Sequence, residues 1–207
     1  MNRVIFGCGS QALYVLDSLK DQGEISPKAF VNLEPISLSG EMIEGVPVID
    51  YESSFDIFQP GETEVIVAHG DNKLKLRIVS ALEKNGFQFF SAVHPKVNIS
   101  SLASVGLGCI VNAGVTILPR SSIHGHTVIH SGSVIEHDCV IGKGVNIGPG
   151  VIMAGRVSVG DGSYLFSGCT IGPGADVGRD AIVGAGSVVL GAVPDGSRVA
   201  GVPARVI

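Results

Sequence analysis

One histidine of this chain, His137, stands between two carboxylates in the run Glu136-His137-Asp138. A neighbouring carboxylate can raise the basicity of an imidazole and orient its ring, so His137 is suited to act as a general base. Gly155 follows His137 by 18 residues, and its backbone N–H can stabilise a developing oxyanion. A base and an oxyanion donor together favour acyl transfer to an amine or a hydroxyl.

A second group of residues suited to chemistry lies near the N-terminus, where an apolar strand runs into a glycine-rich turn and then an apolar helix. Glycines there allow close backbone approach, and a helix N-terminus presents free N–H groups to an anion. The alternative is a turn that only packs the helix on the strand. The expected ligand-binding residues, at the carboxyl ends of buried strands, are Gly7, Gly9, Ser10, Gln11, Asn32, Gly70 and Asp71.

The elements that position this turn alternate between strand and helix over residues 1–92. Apolar runs predict strands at 3–6, 29–32, 46–49 and 64–68, and a helix over 73–84 with Asp71 or Asn72 as its N-cap. Such alternation is typical of a small α/β domain with a parallel sheet. It is too short for a complete dinucleotide fold, so a mononucleotide-sized ligand fits better than NAD.

A repeat of six residues organises the rest of the chain, residues 93–194. Every sixth residue from Val93 to Val189 is aliphatic, and a small residue follows four positions later. This pattern predicts a parallel β-helix of hexapeptide repeats, with three repeats per coil. Residues 18 apart then lie above one another, which places Gly155 over His137. Residues 195–207 are set apart as a C-terminal tail.

The repeat contains no insertion that could form the wall of an active site. A smooth prism face cannot enclose a substrate alone, so a second chain must supply the missing wall. We therefore expect a cyclic homotrimer with three equivalent clefts, in line with the closed symmetry of most oligomers.

Composition excludes several classes of protein. The net charge of -5 and the lack of a Lys/Arg cluster argue against nucleic-acid binding. No apolar run of about 18 residues predicts a membrane span, and no signal peptide is evident, so we expect a cytoplasmic protein. The cysteines lack a Cys-x-x-Cys spacing, which indicates buried thiols and no metal site.

The whole chain resembles the bacterial hexapeptide-repeat acetyltransferases that act on nucleotide-linked amino sugars, of the bacillosamine- and perosamine-pathway type. The sialic-acid O-acetyltransferases are related to them. The matching segments are VIFGCGSQA, AFVN, VIVAHGDNKLKLR, FSAVHP, VIEHDCVIG and AGVPAR. The resemblance implies a trimer of left-handed β-helices with acetyl-CoA between neighbouring prisms. It also implies a Rossmann-like domain over 1–92 that binds the sugar nucleotide.

The resemblance also assigns roles to residues of the repeat. His137 matches the family's general base, Asp138 its acidic partner, and Gly155 the glycine that meets the thioester. Departures occur at Gln11, where the family often has His, and at Asn32, where it often has Asp. The residues expected at the cofactor are Gly155, Ser167, Gly168, Ala185, Gly186 and Asn146, the last replacing a second family histidine.

The expected reaction is direct acetyl transfer from acetyl-CoA to the amino group of a nucleotide-linked 4-amino-deoxy sugar. One alternative is O-acetylation of a sugar or sialic acid. A different class is a zinc enzyme like the γ-type carbonic anhydrases, with His124, His130 and His137 as ligands. Two further alternatives are a sugar-nucleotide oxidoreductase, suggested by the glycine-rich turn, and a scaffold without catalysis.

Overall fold

The computed structural model describes residues 1–24, 26–34, 38 and 40–207. The chain divides into two compact units, Met1–Ala92 and Val93–Ile207. Across the described residues, no helix has the length and apolar character needed to cross a membrane.

The described residues of the first unit form a six-stranded sheet with three helices. Its strands are β1 (Asn2–Phe6), β2 (Ala29–Asn32), β3 (Met42–Ile43), β4 (Val46–Asp50), β5 (Thr63–Val67) and β6 (Gln88–Phe89). Its helices are α1 (Ser10–Asp21), α2 (Tyr51–Ile57) and α3 (Asn72–Lys84). The strand order is β3-β4-β2-β1-β5-β6, and all neighbours pair in parallel except β3 with β4. The carboxyl ends of β1, β2 and β5 therefore lie side by side.

The four strands expected from apolar runs are present, and α3 begins at its predicted cap. The Asp71 carboxylate accepts hydrogen bonds from the Lys73 and Leu74 N–H groups at 2.8 and 3.0 Å. Helix α2 was missed because its seven residues are too few to show a helical period. Aromatic packing holds it instead, since Tyr51 and Phe55 make edge-to-face contacts with Phe6 and Phe87.

The second unit is a prism of two-residue strands, as the repeat predicted. Its first face carries β7 (Ala92–Val93), β10 (Ile110–Val111), β13 (Val128–Ile129), β16 (Asn146–Ile147), β19 (Tyr164–Leu165), β22 (Ile182–Val183), β24 (Arg198–Gly201) and β25 (Ala204–Val206). The second face carries β8 (Asn98–Ile99), β11 (Thr116–Ile117), β14 (Val134–Ile135), β17 (Ile152–Met153), β20 (Thr170–Ile171) and β23 (Val188–Val189). The third face carries β9 (Ser104–Val105), β12 (Ser122–Ile123), β15 (Val140–Ile141), β18 (Ser158–Val159) and β21 (Asp176–Val177).

The strands stack in parallel with a register of 18 residues, for example Ile117 on Ile135 and Ile135 on Met153. The aliphatic residue of each repeat points inward, and from Val111 onward every one of them is buried. Val93, Ile99 and Val105 in the first coil are only partly buried. Inward-pointing aliphatic residues in register are the arrangement of a left-handed β-helix.

Residues 195–207 are not separate from the prism. Strand β24 pairs in parallel with β22, so it extends the first face by another coil, and β25 folds back antiparallel on β24. Val199 within β24 is buried against the prism core. This segment does not follow the six-residue period, which is why the sequence pattern separated it.

Candidate active site

The loop that carries His137 turns the chain from β14 to β15, at the edge between the second and third faces. We call residues 118–121, 136–139 and 154–157, which stack at this edge, the His137 corner. The buried Ser121 hydroxyl donates to the Glu136 carbonyl at 2.6 Å and accepts from the Cys139 N–H at 3.1 Å. Because these two bonds lie on either side of His137, they fix the backbone that presents it.

His137 is oriented by the carboxylate that follows it. Its Nδ1 lies 2.6 Å from Asp138 Oδ2. An ionised carboxylate only accepts hydrogen bonds, so Nδ1 carries a proton, and in the neutral ring the lone pair is on Nε2. The side chain is 42% exposed, which leaves Nε2 open to a substrate. The pair has the geometry of an oriented general base.

Asp138 is in turn held by Arg120, one coil below it. Arg120 Nε donates to Oδ1 at 2.6 Å, and its terminal nitrogen donates to Oδ2 at 2.8 Å. The hydrogen bond from Arg120, followed by that from His137, holds the pKa of the Asp138 carboxyl far below its usual range. Asp138 therefore stays ionised. It accepts a hydrogen bond from the imidazole Nδ1–H without becoming protonated. Arg120 was not among the residues predicted from the sequence.

Gly155 lies directly over the imidazole, as the 18-residue spacing predicts. A Cβ at this position would stand 2.6 Å from both Cε1 and Nε2 of His137. The space left by the missing side chain is therefore filled by the base itself. In the part of the chain that the structure describes, the Gly155 N–H donates no hydrogen bond. It remains available to an oxyanion.

The residues expected at the cofactor lie elsewhere on the prism. Ser167 and Gly168 turn the chain from β19 to β20, between the first and second faces, and Ala185 and Gly186 stack on them. The Gly186 N–H donates to the Ser167 carbonyl at 3.0 Å. We call this edge the Ser167 corner. Within one chain it does not meet the His137 corner, and the whole second face separates the two.

Asn146, also expected at the cofactor, is fully buried on the first face between Val128 and Tyr164. Neither atom of its side-chain amide has a hydrogen-bond partner anywhere in the described chain. In this single chain the amide is closed to solvent, and the structure does not bring it to either corner.

The three histidines considered as zinc ligands occupy three different edges of the prism. His124 lies between the third and first faces, His130 between the first and second, and His137 between the second and third. Among the described residues, no three His, Cys, Asp or Glu side chains are grouped closely enough to hold a metal ion.

Most residues expected to bind substrate line one cleft of about 270 Å³ in the first unit. They are Gly7, Gly9, Ser10, Gln11 and Gly70. Gly7 is required there, because a Cβ would lie 2.2 Å from the Ala68 carbonyl oxygen and its φ is +129°. Gln11 is 8% exposed, and its Oε1 has no partner among the described residues. Asp71 is instead used as the cap of α3.

Two side chains of this cleft, Glu34 and His69, were not proposed as ligands from the sequence. Asn32 is buried, and its side-chain oxygen accepts a hydrogen bond from the Glu34 N–H at 3.1 Å, which closes a turn after β2. Glu34 is therefore the exposed side chain at the end of this strand. The Asp71 N–H donates to His69 Nδ1, which leaves Nε2–H to donate to Glu34 Oε1 at 3.1 Å. A second cleft of about 400 Å³ adjoins, lined by Asn32, Leu33, Glu34, Asp50, Tyr51, Glu52 and Ile78.

Comparison with known proteins places these features among transferases. The family "Bacterial transferase hexapeptide (six repeats)" matches residues 120–155 and 156–191. No match was found among curated proteins.

Solved structures match over the whole chain. The structure of PerB from Caulobacter crescentus in complex with CoA and GDP-perosamine is 35% identical, with 100% of this chain and 97% of that chain covered and a TM-score of 0.91. The acetyltransferase domain of PglB from Neisseria gonorrhoeae, in complex with acetyl coenzyme A, is 25% identical with a TM-score of 0.90 and coverage of 100% and 98%. WeeI from Acinetobacter baumannii, at 24% identity, TM-score 0.62 and full coverage of both chains, shares the fold.

Proposed function

The chain belongs to the hexapeptide-repeat N-acetyltransferases of nucleotide-linked amino sugars, and we propose that it transfers acetyl from acetyl-CoA to the amino group of a nucleotide-linked 4-amino-deoxy sugar. The observation that carries the mechanism is the alignment of Asp138, His137 and Gly155 in one corner.

The reaction follows from the atoms of this corner. The neutral amine of the sugar attacks the thioester carbonyl carbon, and His137 Nε2 removes a proton from its nitrogen. The Gly155 N–H stabilises the tetrahedral oxyanion. The C–S bond then breaks, and the CoA thiolate leaves with the proton that His137 took up. Asp138 stabilises the imidazolium between these steps, and no acyl-enzyme forms.

The cleft at Gly7 and Ser10 is the proposed site of the nucleotide. When the five described parallel strands of the first unit are numbered along the chain, their spatial order in the sheet is 3-2-1-4-5. This is the strand order of the Rossmann fold, and it supports a Rossmann-like domain. The N-terminus of α1 offers N–H groups to the diphosphate. Gln11, whose buried carbonyl oxygen is unpaired, and Glu34 can each accept a hydrogen bond from the ligand.

Acetyl-CoA is proposed to bind at the Ser167 corner of one chain and react at the His137 corner of another. The two corners lie at opposite edges of the second face. A closed ring needs two different patches on each chain, and these edges supply them. If three prisms pack with their second faces toward the threefold axis, the His137 corner of each chain meets the Ser167 corner of its neighbour. This arrangement gives three equivalent sites and supports a homotrimer. Exposed Ile152 on this face is a suitable apolar contact.

We also place the protein in the cytoplasm. All four cysteines are free thiols, as is usual in a reducing compartment.

The direct test is the release of CoA with UDP-, GDP- and dTDP-linked 4-amino sugars, with sialic acid as the control substrate. Acetylated amine with one of the sugars is expected, and acetylation of sialic acid alone would favour the O-acetyltransferase. His137→Ala should lower turnover about 10²–10⁴-fold with ligand binding intact. The matched control is His124→Ala, an exposed histidine of another edge. Near-normal turnover of His137→Ala, or stoichiometric zinc in the purified protein, would refute the mechanism.

A further inference from the structure

Three stacked residues of the His137 corner hold an unusual backbone conformation. In most repeats the third residue after the inward aliphatic one is a glycine with φ near +70°, as at Gly132 and Gly144, and outside this corner His126 and Asp180 are the described exceptions with positive φ. At the His137 corner this position is occupied by Arg120, Asp138 and Arg156, with φ of 62°, 60° and 61°. A side chain in this region costs about 1–2 kcal/mol relative to glycine. Such strain is retained where the side chain has a use.

Asp138 already has a use as the partner of His137, which leaves the two arginines. Arg120 reaches Asp138 through two parallel hydrogen bonds of 2.6 and 2.8 Å. Its terminal nitrogen and His137 Nδ1 share the same oxygen, Oδ2. In the described chain, no hydrogen bond or ion pair joins the Arg156 side chain to Asp138.

The consequence for the base is geometric. Asp138 is only about one-third exposed, but among the described residues Arg120 is the only side chain besides His137 itself that bonds its carboxylate. Without that bidentate link the carboxylate can rotate about χ1 and χ2 and lose its hydrogen bond with His137 Nδ1. A guanidinium is suited to prevent this because its planar fork matches a carboxylate edge.

We propose that Arg120 is a positioning residue of the acetyl transfer, which holds Asp138 in the plane that orients His137 and keeps Nε2 free to accept the amine proton. This assignment rests on the proposed function for its chemistry. Arg120 touches neither substrate nor cofactor in this mechanism, and it acts only through Asp138.

The test compares Arg120→Met with Arg156→Met. Methionine has an unbranched side chain like arginine and takes the same left-handed backbone conformation at both positions. The two variants therefore carry the same backbone strain. Arg120→Met should lower kcat on the order of 10–100-fold, as expected for a misplaced base, with KM for acetyl-CoA within about threefold of wild type. Guanidinium chloride at sub-denaturing concentration should restore part of kcat. Arg120→Lys should fall between, because an ammonium keeps the charge without the fork.

A second measurement does not depend on turnover. In ¹⁵N-histidine spectra, the Nδ1–H resonance of His137, assigned by its absence in His137→Ala, should be strongly downfield in wild type and Arg156→Met. It should broaden or move upfield in Arg120→Met. If this resonance is unchanged in Arg120→Met, or if its kcat loss does not respond to guanidinium, the inference is wrong. Absence of acetyl transfer by the wild type, with the resonance lost in Arg120→Met, would refute the proposed function alone.

Discussion

Gly155→Ala is the substitution whose effect can be worked most directly from the structure. The new Cβ would stand 2.6 Å from Cε1 and Nε2 of His137 and 3.1 Å from Cδ2. Carbon atoms rest at about 3.5–4.0 Å, so the ring must move by roughly 1 Å. The backbone does not resist the change, because Gly155 is not in the left-handed region. The ring moves outward, since 42% of the side chain faces solvent.

The displacement should act on the rate and leave the fold intact. A shift of about 1 Å breaks the 2.6 Å contact between Nδ1 and Asp138 and carries Nε2 away from the amine. A misplacement of this size lowers kcat/KM by about 10²-fold, which corresponds to about 2.7 kcal/mol of transition-state free energy. The assay is CoA release with the amino-sugar substrate, together with thermal unfolding to show that Tm is retained.

Two comparisons make the prediction sharp. Gly191→Ala is the matched control, because Gly191 follows the inward Val189 of the second face as Gly155 follows Met153, and no described atom is within 4 Å of its Cβ position. Its kcat/KM should equal that of wild type. In a His137→Ala background, Gly155→Ala should add less than about threefold, because the ring that it displaces is gone. A full 10²-fold loss in that background would show that the alanine acts on something other than the imidazole.

Three further outcomes are expected. Asn146→Val removes a buried amide that has no hydrogen-bond partner among the described residues and should raise Tm by roughly 2–8 °C, whereas a lower Tm would show that the amide is bonded. Asp138→Asn removes a carboxyl whose pKa is lowered on folding, so its contribution to stability is present above the unfolded value and is lost as the carboxyl is protonated. The Tm difference from wild type should be constant from about pH 5 to 8 and narrow below about pH 4. Burial raises the pKa of Cys169 to about 12 and that of Cys8 to about 11, so thiol titration at neutral pH should be slow in the native protein and complete after unfolding.

The prism could be predicted in detail because its period is visible in single residues. An aliphatic residue every six positions gives the strands, and three repeats per coil give the stacking of Gly155 on His137. The link from Arg120 to Asp138 has the same spacing of 18 residues and was readable by the same rule. It was overlooked because an arginine without a neighbouring carboxylate in the sequence looks like any exposed charge.

Other parts of the site have no spacing rule. The contact between Glu34 and His69 depends on the turn that Asn32 closes, and nothing in the sequence indicates where that turn directs the chain. Asn146 stands at an outward position like Ile152, which is 49% exposed, yet Asn146 is fully buried. The period determines the direction of a side chain but not what lies over it.

The 18-residue register makes the active site depend on the number of residues between His137 and Gly155. His137 and Gly155 belong together only while the chain between them keeps its length, although most of that segment touches no reacting atom. A deletion of six residues there would preserve the repeat and still advance every later residue by one edge. Asp161 would then stand over the imidazole in place of Gly155. In this protein the length of the intervening segment is therefore as much a part of the catalytic machinery as the side chains at its ends.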